Sequence, residues 1–234
     1  LLFNLERAVV NSPMIKYRQI GNITYIQYKS FYGNAPELFK RALQSAKDNA
    51  STGIIIDLRD NLGGNVEVLA STADMILPQG SIIYAIDKNG NRVEDRKSDA
   101  NKIDLPIVIL VNGYSASASE AFVGAARDHK VAITVGTKTY GKGIIQTTYT
   151  LANQGAIKLT TAKYYLPNGE CIHGVGITPD HVVELPDGRI ITGKTSGLLG
   201  ASSALLLNAL KLLGGIPDEL HLIAPVVINP IQRL

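Results

Sequence analysis

Two stretches of the chain carry residues that could do chemistry together. The first is Asn112-Gly113-Tyr114-Ser115-Ala116-Ser117-Ala118-Ser119-Glu120, and the second is Gly141-Lys142-Gly143-Ile144-Ile145-Gln146. A serine needs a base to become a nucleophile, and histidine is the usual one. The four histidines, His129, His173, His181 and His221, all lie outside these stretches. Lys142 instead sits between two glycines, with Gln146 four residues on. A hydroxyl at a helix start, an amine that burial can keep neutral and an uncharged group to hold that amine are what a serine–lysine hydrolase requires.

Each stretch also has a plainer explanation. Ser117 and Glu120 fit a capping box ahead of the apolar run Ala121-Phe122-Val123. The segment Gly136-Thr137-Lys138-Thr139-Tyr140-Gly141-Lys142-Gly143 nearly matches a phosphate-binding loop. That motif ends in serine or threonine and opens a helix. Here the final position is Gly143, and the β-branched run Ile144-Ile145-Gln146-Thr147-Thr148 favours a strand. The nucleotide-binding reading fails on both counts.

Four segments together resemble the carboxy-terminal processing peptidases, also called tail-specific proteases. They are Gly53-Ile54-Ile55-Ile56-Asp57-Leu58-Arg59-Asp60-Asn61-Leu62-Gly63-Gly64, then residues 115–120, then 136–146, and last Pro167-Asn168-Gly169 with Gly174-Val175-Gly176-Ile177-Thr178-Pro179-Asp180. Each is weak alone, but their order is that of the family, over residues 11–185. The resemblance implies Ser117 as nucleophile, Lys142 as general base and Gln146 as the residue orienting the lysine. It implies protein or peptide substrates engaged near the carboxyl terminus, no cofactor, and a location outside the cytoplasm.

The roles have a physical logic of their own. A lysine ammonium cannot accept a proton, and apolar burial favours the neutral amine. Ile144, Ile145 and Tyr140 are the expected walls, and Gln146 can hold the amine without the charge of a carboxylate. In a flat strand Lys142 and Gln146 would share a face yet stand roughly 13 Å apart, so the chain must bend, with Gly141 and Gly143 as hinges. For the oxyanion, the Ala118 amide is the natural first donor, and Gly63, by resemblance, is expected as the second in preference to Gly64. Asp57 and Arg59 are expected to brace that turn as an ion pair.

Other conspicuous residues read as inert. Cys171 is the only cysteine, so no intrachain disulfide forms, and a thiol–imidazole pair with His173 fits a strand poorly. No histidine pair has zinc-ligand spacing, and neither Gly-x-Ser-x-Gly nor Ser-x-x-Lys occurs. Asn22-Ile23-Thr24 and Asn49-Ala50-Ser51 are formal glycosylation sequons of a kind that chance produces often. The net charge of +3 is spread without a basic run, which speaks against nucleic acid as a partner. Apolar stretches are too short or too broken to span a bilayer, and no signal peptide opens the chain.

The elements that must position these groups alternate. Strand character at 23–29 precedes an amphipathic helix from Pro36 that carries Leu38, Phe39, Ala42, Leu43 and Ala46 on one face. A near-continuous apolar strand at 54–58 fits a sheet covered on both sides, and a helix through Val66, Leu69, Ala73 and Ile76 follows. Residues 82–86 and 92–95 flank Lys88-Asn89-Gly90, a hairpin turn. Strands at 107–111 and 131–135 bracket the Ser117 helix, and 144–166 reads as antiparallel. The fold class is α/β. The resemblance narrows it to the Clp protease/crotonase-like core of strand–strand–helix units.

Three regions are expected: residues 1–10, a strand resembling the end of a peptide-binding PDZ domain; 11–190, a peptidase catalytic core; and 191–234, a helical and extended tail. That apolar tail would pack on the core or against another copy, giving a homo-oligomer. A crotonase-like acyl-CoA enzyme would share the fold, but has no reason to place Lys142 and Gln146 after a Ser117 helix. A non-catalytic peptide-binding relative would be expected to have lost Ser117 or Lys142.

Overall fold

The computed structural model describes residues 13–180 and two short strands beyond them. Its elements in chain order are β1 (Ile15–Ile20), β2 (Ile23–Tyr28), α1 (Ala35–Asp48), β3 (Gly53–Asp57), α2 (Val66–Asp74), β4 (Gly80–Asp87), β5 (Arg92–Ser98), β6 (Ile107–Val111), α3 (Ala118–Asp128), β7 (Ala132–Gly136), β8 (Ile144–Thr150), β9 (Ala156–Tyr165), β10 (Val183–Glu184) and β11 (Ile190–Ile191). Among the expectations above, the strand at 1–10 and the tail from 192 onward fall outside the described residues.

The first sheet has the order β1-β2-β3-β6-β7, antiparallel between β1 and β2 and parallel thereafter. Its central strands are the apolar runs of the sequence, as strands covered on both faces require. Ile54 and Ile56 of β3 and Ile107, Ile109 and Val111 of β6 are buried. The second sheet is antiparallel, with the order β5-β4-β9-β8. The hairpin expected around Lys88-Asn89-Gly90 joins β4 to β5, and the 144–166 stretch resolves into β8 and β9.

Helix α1 begins with Pro36 in its first turn, where a missing N–H costs nothing, and buries Phe39, Ala42, Leu43 and Ala46. Helix α2 is capped by Asn65, whose side chain accepts from the Glu67 and Val68 amides. It stops at Asp74, so Ile76 is buried just beyond the helix rather than in it. Strand β1 is an addition to the sequence reading. It pairs Ile20 with Ile23 across a turn containing Gly21 (φ +56°), and five of its six residues are not buried, so no apolar pattern announced it.

Helix α3 differs from the other two in being buried from Ala118 through Ala126. The aromatic cluster Tyr28, Phe31, Phe39 and Phe122 packs α1, β2 and α3 together, with ring centroids 4.3–6.3 Å apart. A helix enclosed on all sides cannot reorient without opening the core.

The end of β3 is tied by the pair anticipated from sequence. Arg59 donates to both carboxylate oxygens of Asp57 through its guanidinium, at 3.0 and 2.8 Å, and its backbone N–H adds a bond of 3.0 Å. The Tyr25 hydroxyl donates to Asp57 Oδ2 at 2.5 Å. Burial on its own would raise the Asp57 pKa, but the donors from Arg59 and Tyr25 outweigh it and hold the carboxyl below its ordinary value. A depressed native pKa stabilises the fold above the unfolded carboxyl value and loses that stabilisation as pH falls through the native one. Asp57→Asn should therefore destabilise the protein by about 1–3 kcal/mol near neutral pH. The gap to wild type should shrink below about pH 4, as read by denaturant unfolding at a series of pH values. A gap that does not vary with pH would contradict this account.

Candidate active site

The β6–α3 loop and the first turn of α3 carry three serines in alternation, and only the middle one lines the cleft. Ser115 donates to the Leu58 carbonyl (2.8 Å) and Ser119 to the Asn61 carbonyl (2.8 Å), both fully buried. The Ala116 N–H donates to the same Asn61 carbonyl (3.0 Å). These bonds staple the start of α3 to the turn after β3. Between them Ser117 is held at φ +59°, ψ −115°, a conformation that costs a non-glycine residue about 1–3 kcal/mol. The surrounding hydrogen bonds hold that strain in place.

Glu120 links this serine to the lysine. Its carboxylate has no exposed surface and accepts four hydrogen bonds. Oε2 takes the Ser117 N–H (2.9 Å) and the Lys142 N–H (2.8 Å). Oε1 takes the Thr139 hydroxyl (2.6 Å) and the Gly141 N–H (2.7 Å). The expected capping box is present, and its carboxylate also reaches the segment that carries the candidate base.

That segment is fixed from its other side as well. Thr139 Oγ1 accepts the Ile177 N–H (2.7 Å), and the Gly174 N–H donates to the Gly141 carbonyl (2.9 Å). A Cβ on Gly143 would lie 2.7 Å from the His173 amide, so a larger residue there would push the turn away. The bend required between Lys142 and Gln146 has two parts. Lys142 lies before β8 begins, and the β8–β9 register shifts between Ile145 and Gln146.

Ser117, Lys142 and Gln146 line one cleft of about 330 Å³, together with Gly64, Tyr164, Lys158 and an apolar wall that includes Tyr32, Val66 and Ile144. Among the described residues no hydrogen bond joins Ser117 Oγ to the lysine amine. The hydroxyl nearest to Ser117 Oγ belongs to Tyr164, at 3.3 Å. Lys142 and Gln146 are brought to the same cleft as the serine. Tyr164 was missed by the sequence reading. Its only signal was a tyrosine pair, Tyr164-Tyr165, at the end of an antiparallel stretch, where just one of the two can face a given side.

The oxyanion expectation divides. Ala118 is the first residue of α3, so its N–H has no intrahelical partner and lies beside the nucleophile. Gly63 packs tightly there: a Cβ would fall 2.5 Å from the Ala116 carbonyl oxygen and 2.8 Å from the Ala118 nitrogen. Its own N–H, however, donates to Asn61 Oδ1 at 2.9 Å. The two glycines expected to compete for the second donor are placed differently. Gly63 permits the close approach, its amide is engaged by an Asx turn, and Gly64 is the glycine on the cleft wall.

An α/β core with a serine at a strained helix start and a lysine across one cleft is the arrangement of a serine peptidase. The profile described as "Peptidase family S41" matches residues 22–183, most of the chain, and the chain belongs to that family. A profile described as "Domain of unknown function DUF1846, C-terminal" matches residues 168–234, mostly beyond the described region. Among curated relatives, a carboxy-terminal-processing protease of Bartonella bacilliformis is 39% identical over 190 residues, covering 78% of this chain and 43% of that protein. A carboxyl-terminal-processing protease of Synechocystis sp. is 38% identical over 189 residues, covering 79% and 44%. The chain thus spans less than half the length of these relatives. Among solved structures, the photosystem II D1 C-terminal processing protease aligns with a TM-score of 0.69 and 28% identity, over 73% of this chain and 48% of that one. A putative S41 protease from Bacteroides fragilis shares the fold, with a TM-score of 0.63 at 19% identity over 91% and 60%.

Glu120→Gln keeps the shape of the side chain but turns one acceptor oxygen into a donor facing two other donors. We expect a loss of about 1–3 kcal/mol in unfolding free energy, and a fall in any Ser117-dependent turnover. Thermal melts and turnover per labelled active site would check this, and an unchanged melt together with unchanged turnover would refute it.

Proposed function

We propose that the chain is the catalytic core of a serine endopeptidase that cleaves protein or peptide substrates near their carboxyl termini through a Ser117–Lys142 dyad. The observation that carries the reading is the convergence of Ser117, Lys142 and Gln146 on one cleft, with the backbones of the first two tied to a single buried carboxylate. The names of the curated relatives support the substrate class. By the same resemblance the enzyme works outside the cytoplasm. No helix among the described residues is long and apolar enough to cross a membrane.

In the proposed reaction, Ser117 Oγ attacks the scissile carbonyl carbon while its proton passes to Lys142 Nζ. The carbonyl π electrons move to oxygen, and the Ala118 N–H receives the developing charge. When the tetrahedral species collapses, the C–N bond breaks and the leaving amine takes the proton from Lys142. Water, activated by the same amine, then hydrolyses the ester at Ser117 and restores the enzyme. Gln146 orients the amine. The 330 Å³ cleft and its apolar wall suit an extended peptide, whose main chain can pair with a strand edge while side chains fill pockets.

A serine-reactive phosphonate should add once to the wild-type chain, with the mass increase located at Ser117. Ser117→Ala and Lys142→Ala should each abolish peptide hydrolysis with the fold retained, because nucleophile and base act as a unit. Gln146→Ala should reduce turnover less, since it removes orientation and neither reacting group. A Lys142→Ala protein with near-normal turnover would overturn the dyad, and an unaffected Gln146→Ala would overturn the orienting role.

A further inference from the structure

The hydroxyl beside the nucleophile belongs to neither member of the dyad. Tyr164 is 5% exposed, and its phenol oxygen lies 3.3 Å from Ser117 Oγ. On the reading of Ser117 as nucleophile, we propose that Tyr164 completes the catalytic set by donating its hydroxyl proton to Ser117 Oγ, which leaves the serine's own proton free for Lys142.

A hydroxyl has one proton to give and two lone pairs to receive with. Were Ser117 to donate to Tyr164, its proton would point away from the base and the attack would have to wait for a rotation. With the donation reversed, one lone pair is filled and the serine proton can turn to the lysine. The phenol is suited to donating. Burial pushes its pKa upward, the hydrogen bond with Ser117 opposes that, and the Glu120 carboxylate adds to it, so the net direction is up and the group keeps its proton at neutral pH. A hydrogen bond to oxygen strengthens as that oxygen takes on negative charge, which Ser117 Oγ does as the leaving group when water displaces it from the ester, so the contact is worth more there than in the resting site. At 3.3 Å it is long for O–H···O, as such bonds often are before substrate binds.

The fold holds the phenol in place. The Tyr164 N–H donates to the Gly143 carbonyl (2.9 Å), which ties β9 to the residue after Lys142. On the other side Tyr164 pairs with Ala85 of β4. Two residues on, Leu166 packs over Gly124 of α3, where a Cβ would fall 2.5 Å from the leucine methyls. The charged groups around the phenol are Glu120, which holds the Ser117 amide, and Lys142 and Lys158 on the cleft wall.

The test is Tyr164→Phe, which keeps the ring and removes only the hydroxyl, with turnover expressed per phosphonate-labelled Ser117. We expect kcat to fall about ten- to a hundred-fold, the range for a hydrogen bond to a charged group, with KM within about two-fold and labelling stoichiometry unchanged. Loss of packing alone would lower the labelled fraction and leave turnover per labelled site intact. Placing 3-fluorotyrosine at position 164 gives a second readout. Its phenol deprotonates at lower pH, so the alkaline limb of the kcat profile should move to lower pH. Turnover per site within about two-fold of wild type in Tyr164→Phe would overturn the proposal. Should the phenylalanine variant fail to fold, an unmoved alkaline limb in the fluorotyrosine protein would overturn it instead. A wild-type chain that the phosphonate does not label at Ser117 would bring down the peptidase reading itself, an outcome distinct from a labelled enzyme indifferent to Tyr164.

Discussion

A single carboxylate with no access to water joins the two halves of the site. Glu120 sits three residues into α3, yet two of its four hydrogen bonds go to the backbone at Gly141 and Lys142, and a third to Thr139 just before them. Burying an isolated carboxylate is costly, and it is tolerated only when its lone pairs are filled. Those donors come from a loop with no regular structure of its own, which gains a fixed conformation by satisfying them. The dependence is mutual: the charge needs the loop, and the loop needs the charge. Because the fourth donor is the Ser117 N–H, the same atoms fix the spacing between nucleophile and candidate base.

The larger architecture serves this junction. The first sheet delivers α3 at the end of β6, so the serine stands at the start of a helix buried from Ala118 through Ala126. The antiparallel sheet delivers Tyr164 on β9 and Gln146 on β8. Where the two sheets meet, Gly124 lets Leu166 lie directly on α3. A side chain at that position would separate the tyrosine from the serine without touching either. The 172–177 turn then supports the 139–143 loop from outside, which gives the fourth of the sequence segments a structural purpose.

Strain and satisfaction are distributed in a way that fits catalysis. Ser117 has an unfavourable backbone conformation, while Ser115, Ser119 and Asn61 around it have partners for their side chains. The polar groups that hold the site are therefore engaged, and the hydroxyl proposed to react has a long contact with the Tyr164 hydroxyl. Preorganisation of this kind puts the reorganisation cost into folding rather than into each turnover. The Asn61–Gly63 turn illustrates it: Asn61 bonds both the Tyr28 carbonyl and the Gly63 amide, locking a glycine against the helix start.

Much of this was legible in the sequence because it depended on local pattern. The apolar runs of β3 and β6, the face of α1, the β4–β5 hairpin and the Asp57–Arg59 pair all follow from periodicity, turn chemistry or charges two residues apart. Ser117, Lys142 and Gln146 were legible as types and spacing, and the cleft brings them together. Strand β1 escaped because an exposed edge strand need not alternate. What only the tertiary structure decided were the contacts between residues far apart in the chain. They include the three donors that reach Glu120 from the 139–142 loop, the engagement of the Gly63 amide by Asn61, the bulge before Gln146 and the tyrosine beside the nucleophile. A capping box looks the same in sequence whether its glutamate serves one backbone segment or two. The difference lies in where the sheets bring a distant loop, and no local propensity encodes that.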